Sequence, residues 1–193
     1  MNVGAWNVNV IVGGMPEKVA TAIGKLAEQL IGAEYTPIAY LGAQVVNGTN
    51  HAVLAEQLLT TGKDTKNIVL LIFNEKGMDC DLVNIERVVE GGEELGGTEI
   101  AVSTDIPEEA QEVFDKALAG FVGSGVVPFA LLAKQVVAGV NFVFAAEITP
   151  VIQEPVKKVA IVTVNSLSGK VAFTDILGGG INRSLGCPLG EWP

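Results

Sequence analysis

The chain has 193 residues, 49% of them apolar and 18% charged, enough to bury a core and far from the composition of disordered chains. Twelve basic residues stand against 22 acidic ones, a net charge of -10, and the only arginines are Arg87 and Arg183. No basic stripe is available to neutralise phosphates, which argues against nucleic acid as a partner.

The first segment, Met1 to Val12, lacks a positively charged start, and Asn2, Asn7 and Asn9 interrupt its apolar run. Neither a signal peptide nor a spanning helix is expected there, and the reading is of a soluble chain without membrane contact; the sequence leaves its compartment open, with the cytoplasm favoured. Asn7 to Val12 reads as a strand. After Pro16, an apolar stripe at Val19, Ile23, Leu26, Leu30 and Ile31 predicts a helix. Further on, Glu99 to Ser103 reads as another strand. Pro107 with Glu108 and Glu109 then marks a helix start, since proline costs nothing in the first turn and acids favour the positive end of the helix dipole. Ala110, Val113, Phe114, Ala117, Leu118, Phe121 and Val122 continue at helical spacing and predict a long helix ending near Gly123 and Gly125. Four β-type runs follow, Val126 to Val137, Asn141 to Ile148, Val159 to Asn165 and Lys170 to Ile176. The connections at Gly139 and Ser168-Gly169 are too short for parallel crossovers, so the sheet is expected to be antiparallel.

These elements occur twice. Shifting the sequence by 91 positions gives 16 identities in the 59 positions from Pro16 to Asn74, including Pro37 on Pro128, Gln44-Val45-Val46 on Gln135-Val136-Val137, Gly48 on Gly139, Asn50 on Asn141 and Asn74 on Asn165. After Asn74 the offset falls to 88, bringing Gly91-Gly92 onto Gly179-Gly180. A unit of about 90 residues is too long for a solenoid repeat, so duplicated domains are expected. Their bounds are read as 1–92 and 93–193, with a C-terminal tail from about 181, and each is expected to fold by itself.

A strand, a helix and a meander whose first hairpin reads Gln135-Val136-Val137-Ala138-Gly139, or Gln44-Val45-Val46-Asn47-Gly48 in the first copy, resembles the cystatin family, closest to its disulfide-free stefin branch. The resemblance implies an α+β fold of two tandem cystatin-like domains, each an antiparallel sheet of four to five strands packed on one long helix. It also implies inhibition of papain-like cysteine proteases by a wedge made of an N-terminal glycine segment and two hairpins. Carried over, the partner-binding residues are Gly4, Gln44, Val45, Val46, Asn47 and Gly48 in the first copy. In the second they are Gln135, Val136, Val137, Ala138, Gly139 and the stefin-like turn Ser166-Leu167-Ser168-Gly169, with Gly96 or Gly97 in the place of Gly4. The first copy departs from this pattern, having Asn74-Glu75-Lys76-Gly77 where the second hairpin is expected.

Little points to catalysis. His51 is the single histidine, no spacing brings it to Cys80 or Cys187, and no carboxylate cluster has metal-ligand spacing, so no enzyme activity, metal or cofactor is expected. Free thiols are expected at both cysteines, with a disulfide as the alternative. Two rival functions remain: a non-inhibitory interaction or scaffold module with occluded hairpins, and a small-ligand binder or enzyme with a pocket between sheet and helix.

Overall fold

The computed structural model describes residues 4–27, 30–61, 65–92 and 96–178. The first copy contributes β1 (Trp6–Val12), α1 (Glu17–Ala27), β2 (Ala33–Val46), β3 (Gly48–Leu59), β4 (Thr65–Lys76) and β5 (Asp79–Glu90). The second contributes β6 (Thr98–Ser103), α2 (Glu108–Leu118), β7 (Ser124–Val137), β8 (Gly139–Pro150), β9 (Lys158–Asn165) and β10 (Val171–Leu177). The strands form two five-stranded antiparallel sheets, ordered β1-β2-β3-β4-β5 and β10-β9-β8-β7-β6. Among the described residues no helix is long and apolar enough to cross a membrane.

The expected α+β arrangement of a sheet packed on one long helix is corrected here: the described chain is mostly β, and each helix has 11 residues. Such a helix spans roughly 16 Å, whereas strands of 12 to 14 residues run on the order of 40 Å, so it covers only part of one face. The overestimate has a local cause. Phe121 and Val122 keep the helical spacing, but α2 stops at Leu118, and Gly123 turns the chain with a φ of +98°. Phe121 packs its ring against Phe173 at 5.4 Å, and Val122 faces solvent. In the first copy Ile31, counted as part of the stripe, is 99% exposed.

The other face of each sheet packs against the other sheet. Alternate residues of one strand point to opposite sides, and here both sides are apolar. In β3, Ala52 and Leu54 face the opposite sheet, while Val53 and Ala55 face α1. In β8, Val143 and Ala145 face the opposite sheet, while Phe142, Phe144 and Ala146 face α2. The shared core joins Leu41, Leu54, Ile68 and Leu70 of the first copy to Leu132, Val159 and Ile161 of the second. The layers therefore run helix, sheet, sheet, helix. The helix-side cores are filled by side chains, with Phe114 set edge-on to Phe144 at 4.9 Å and Phe73 fully buried beneath α1.

The chain crosses from one sheet to the other at the end of β5. A Cβ on Gly91 would stand 2.1 Å from the Lys66 carbonyl oxygen and 3.0 Å from Ile100 of β6, a closeness only glycine permits. Beyond the crossing, the Gly92 N–H donates to the Thr98 carbonyl at 3.0 Å. Residues 93–95, 179 and 180, the tail from about 181, and Cys187 lie outside the described residues.

Candidate functional site

The β2–β3 turn holds a single residue, Asn47, between the paired Val46 and Gly48; the β7–β8 turn likewise holds Ala138 between Val137 and Gly139. Both glycines have positive φ, +102° at Gly48 and +85° at Gly139. Each also lies directly on the next hairpin. A Cβ at Gly48 would come within 2.6 Å of the Glu75 carbonyl oxygen, and one at Gly139 within 2.7 Å of Leu167 Cβ. Glycine is thus required twice over, by backbone conformation and by the neighbouring hairpin.

A row of side-chain amides crosses each sheet beneath these turns. In the first copy Gln44 Nε2 donates to the Gly4 carbonyl at 2.8 Å, Asn50 Nδ2 donates to Gln44 Oε1 at 2.8 Å, and Asn74 Nδ2 donates to Asn50 Oδ1 at 2.8 Å. The second copy repeats the row through Gln135 to Gly96 at 2.9 Å, Asn141 to Gln135 at 3.0 Å and Asn165 to Asn141 at 2.9 Å. Each glutamine thereby ties the segment before the first strand to the first hairpin, and each outer asparagine ties that hairpin to the second. The Gly4 N–H adds a bond to the Val45 carbonyl at 3.1 Å.

The second hairpins differ in build. In the second copy Asn165 Oδ1 accepts from the Leu167 N–H at 3.1 Å, the Ser168 N–H at 2.8 Å and Ser168 Oγ at 2.9 Å, which folds Ser166–Gly169 into a tight turn. Ser166 Oγ accepts from the Val140 N–H at 2.9 Å, joining the turn to the first hairpin. In the first copy Asn74, Glu75 and Lys76 belong to β4, and the turn is Gly77–Met78, one position beyond where the sequence places it. Met78, absent from the sequence expectation, is the exposed apolar apex at 89%, the counterpart of Leu167 at 75%.

The candidate residues therefore gather at one end of each sheet: Gly4, Gln44–Gly48 and Met78 at the first tip, and Gly96, Gln135–Gly139 and Ser166–Gly169 at the second. Val45, Val46, Val136 and Val137 all expose apolar surface there, Val136 most at 72%. Beside the second tip an open depression of about 500 Å³ is lined by Val137, Ala138, Asn165, Leu167 and Lys170, among others. The asparagine pairs were visible in the repeat, where Asn50 meets Asn141 and Asn74 meets Asn165; their role as a hydrogen-bonded row was not.

Behind the first tip lies a polar cluster that the second copy lacks. His51, buried between the rings of Tyr40 and Phe73, has Nε2 3.1 Å from Glu75 Oε2 and Nδ1 3.3 Å from the Tyr40 hydroxyl. Lys18 approaches the other Glu75 oxygen at 3.9 Å. Burial raises the Tyr40 pKa above its ordinary value. The equivalent second-copy positions are Leu131, Phe142 and Ser166. There Lys134 Nζ sits 5.4 Å from the centre of the Phe142 ring.

Cys80 is a free thiol, partly buried, with Sγ 3.9 Å from the Ala22 carbonyl. Burial raises its pKa, and the charges of Asp81 and Glu75 push it further up against a smaller opposing effect of Lys25. It is therefore protonated at neutral pH, the reverse of what a nucleophile needs. Among the described residues no three His, Cys, Asp or Glu side chains are grouped to hold a metal ion. A comparison of the chain with models of known protein families gives no match, and a comparison with curated proteins gives none either.

Proposed function

We propose that this chain is a non-enzymatic protein-binding molecule that inhibits papain-like cysteine proteases, using the sheet tips as wedges. The observation that carries the reading is the hydrogen bond from each tip glutamine to the glycine carbonyl preceding the first strand, Gln44 to Gly4 and Gln135 to Gly96. It ties the glycine segment to the first hairpin, and the bonds from Asn74 to Asn50 and from Asn165 to Asn141 add the second hairpin, so that in each copy the three segments that the cystatin resemblance assigns to a cleft-filling wedge are joined in one edge. A ligand already ordered in its bound shape loses little entropy on docking. Small apolar residues at the edge, Val136, Val137 and Ala138 above all, give up little hydration in a narrow cleft. Such a wedge blocks the cleft by occupancy and needs no covalent step.

The test is a titration of papain with the whole chain. Activity is expected to fall to a plateau at a fixed molar ratio; full papain activity in the presence of micromolar chain would overturn the reading. The polar build of the first tip, with Asn47 at the turn and Glu75 and Lys76 beside it, favours a second reading for that copy: a non-inhibitory surface for another protein.

A further inference from the structure

We infer that one chain holds two protease molecules at the same time, one on each tip; this rests on the function proposed above and adds its stoichiometry. The argument starts from where the two sheets touch. Gly91 follows β5, whose last residue Glu90 pairs with Asn67 at the end of the first sheet remote from its tip. That glycine abuts Ile100, two residues along β6 from Thr98, which pairs with the tip glutamine Gln135. The second tip thus lies beside the foot of the first sheet.

The reciprocal contact places the first tip in the same way. Gly178 follows β10 at the foot of the second sheet, and a Cβ there would stand 3.0 Å from Val8 Cγ2 and 2.5 Å from the Lys157 carbonyl oxygen. Val8 is two residues along β1 from Trp6, which pairs with the tip glutamine Gln44. Each tip therefore stands next to the other unit's foot, and the two binding edges diverge.

From tip to foot, β3 has 12 residues, on the order of 40 Å. A protease domain of roughly 200 residues has a radius of gyration of about 16 Å. Tips side by side would make two such bodies collide, whereas tips set apart by a distance of this order admit both. Among the described residues nothing of the neighbouring unit covers either edge, and Met78, Val136 and Leu167 all face solvent.

The experiment measures the mass of the complex by sedimentation and light scattering. It uses the full chain with excess papain whose thiol carries a small methylthio cap, so that nothing is digested. Two papain molecules per chain are expected for the parent, one for Met78→Asp and one for Leu167→Asp, and none for the double variant. Both positions are exposed apices, so folding is expected to survive; melting curves check this, and Asn47→Glu with Ala138→Glu, at the exposed turn residues, supplies a second pair. Saturation of the parent at one papain, lost through a single tip, would overturn the two-molecule inference and leave the proposed function standing. Absence of any complex, together with unaffected papain activity, would overturn both.

Discussion

Gln135 donates from its side-chain amide to the carbonyl of Gly96 at 2.9 Å, across 39 positions of chain, while its own oxygen accepts from Asn141. The bond ties the segment before β6 to the tip of the second sheet. Gln135→Glu keeps the acceptor for Asn141, removes the donor to Gly96 and sets a carboxylate oxygen against that carbonyl, so the segment before β6 is released. A lost hydrogen bond of this kind is worth roughly 1 kcal/mol, so papain inhibition is expected to weaken about fivefold to tenfold with little change in melting temperature. Unchanged inhibition would mean that the fixed glycine segment takes no part in binding.

The second tip is expected to bind more tightly than the first. Ala138 stands where the first tip has Asn47, and burying an unpaired amide costs roughly 1–3 kcal/mol. Ala138→Glu should therefore weaken inhibition strongly and Asn47→Glu only slightly, once thermal melts establish that both variants fold. Equal losses, or a greater loss at Asn47, would reverse the ranking.

Leu54 is fully buried between the sheets, whereas Leu167 projects from a turn into solvent. Truncating a core leucine to alanine costs about 2–5 kcal/mol. In denaturant titrations Leu54→Ala is expected to show a loss of that size, and Leu167→Ala almost none, with the opposite order in papain binding. Loss of stability at Leu167 comparable to that at Leu54 would contradict the exposed position of the turn.

Residues 1–92 or 93–193 produced alone would expose Leu41, Leu54 and Leu70, or Leu132 and Ile161. At about 2 kcal/mol for each large side chain left in water, a single copy is expected to melt well below the whole chain, to bind an apolar dye, and to regain stability when its partner copy is added. A lone half that melts like the whole chain and binds no dye would show that each copy is self-sufficient.

Cys80 should react slowly with iodoacetamide at neutral pH. Its raised pKa reduces the thiolate fraction at any given pH, so the rate should climb with pH and reach half its limit above the ordinary thiol range of about 8.5. Following the rate in a Cys187→Ser background isolates this thiol. A midpoint below that range would mark Cys80 as an activated nucleophile and reopen the question of catalysis.

Much of the tip was legible because its chemistry is local. A glycine needed for positive φ at Gly48 and Gly139, flanked by paired β-branched residues, signals a tight turn wherever it occurs. The first copy's outer turn was displaced because strand pairing carried β4 on to Lys76, opposite Asp79, and put Met78 at the apex. Helix length misled through Phe121 and Ile31, which have the right spacing but follow the helix ends. The meeting of the sheets left a trace in runs such as Val53-Leu54-Ala55 and Val69-Leu70-Leu71, where neighbouring residues are all apolar and both sheet faces must be covered. Periodicity says that a second face is covered; it does not say by what.

The contacts at Gly91 and Gly178 are one contact made twice with the copies exchanging roles: the end of β5 against β6, and the end of β10 against β1. That reciprocity is the signature of a two-fold axis between the sheets. A single-copy ancestor could have buried the same apolar face against an identical molecule, as a homodimer, before any duplication. Fusing the genes would then cost no new interface, and it would free the two halves from identical sequences. Asn47 against Ala138 and His51 against Phe142 are differences that a homodimer of identical chains could not carry.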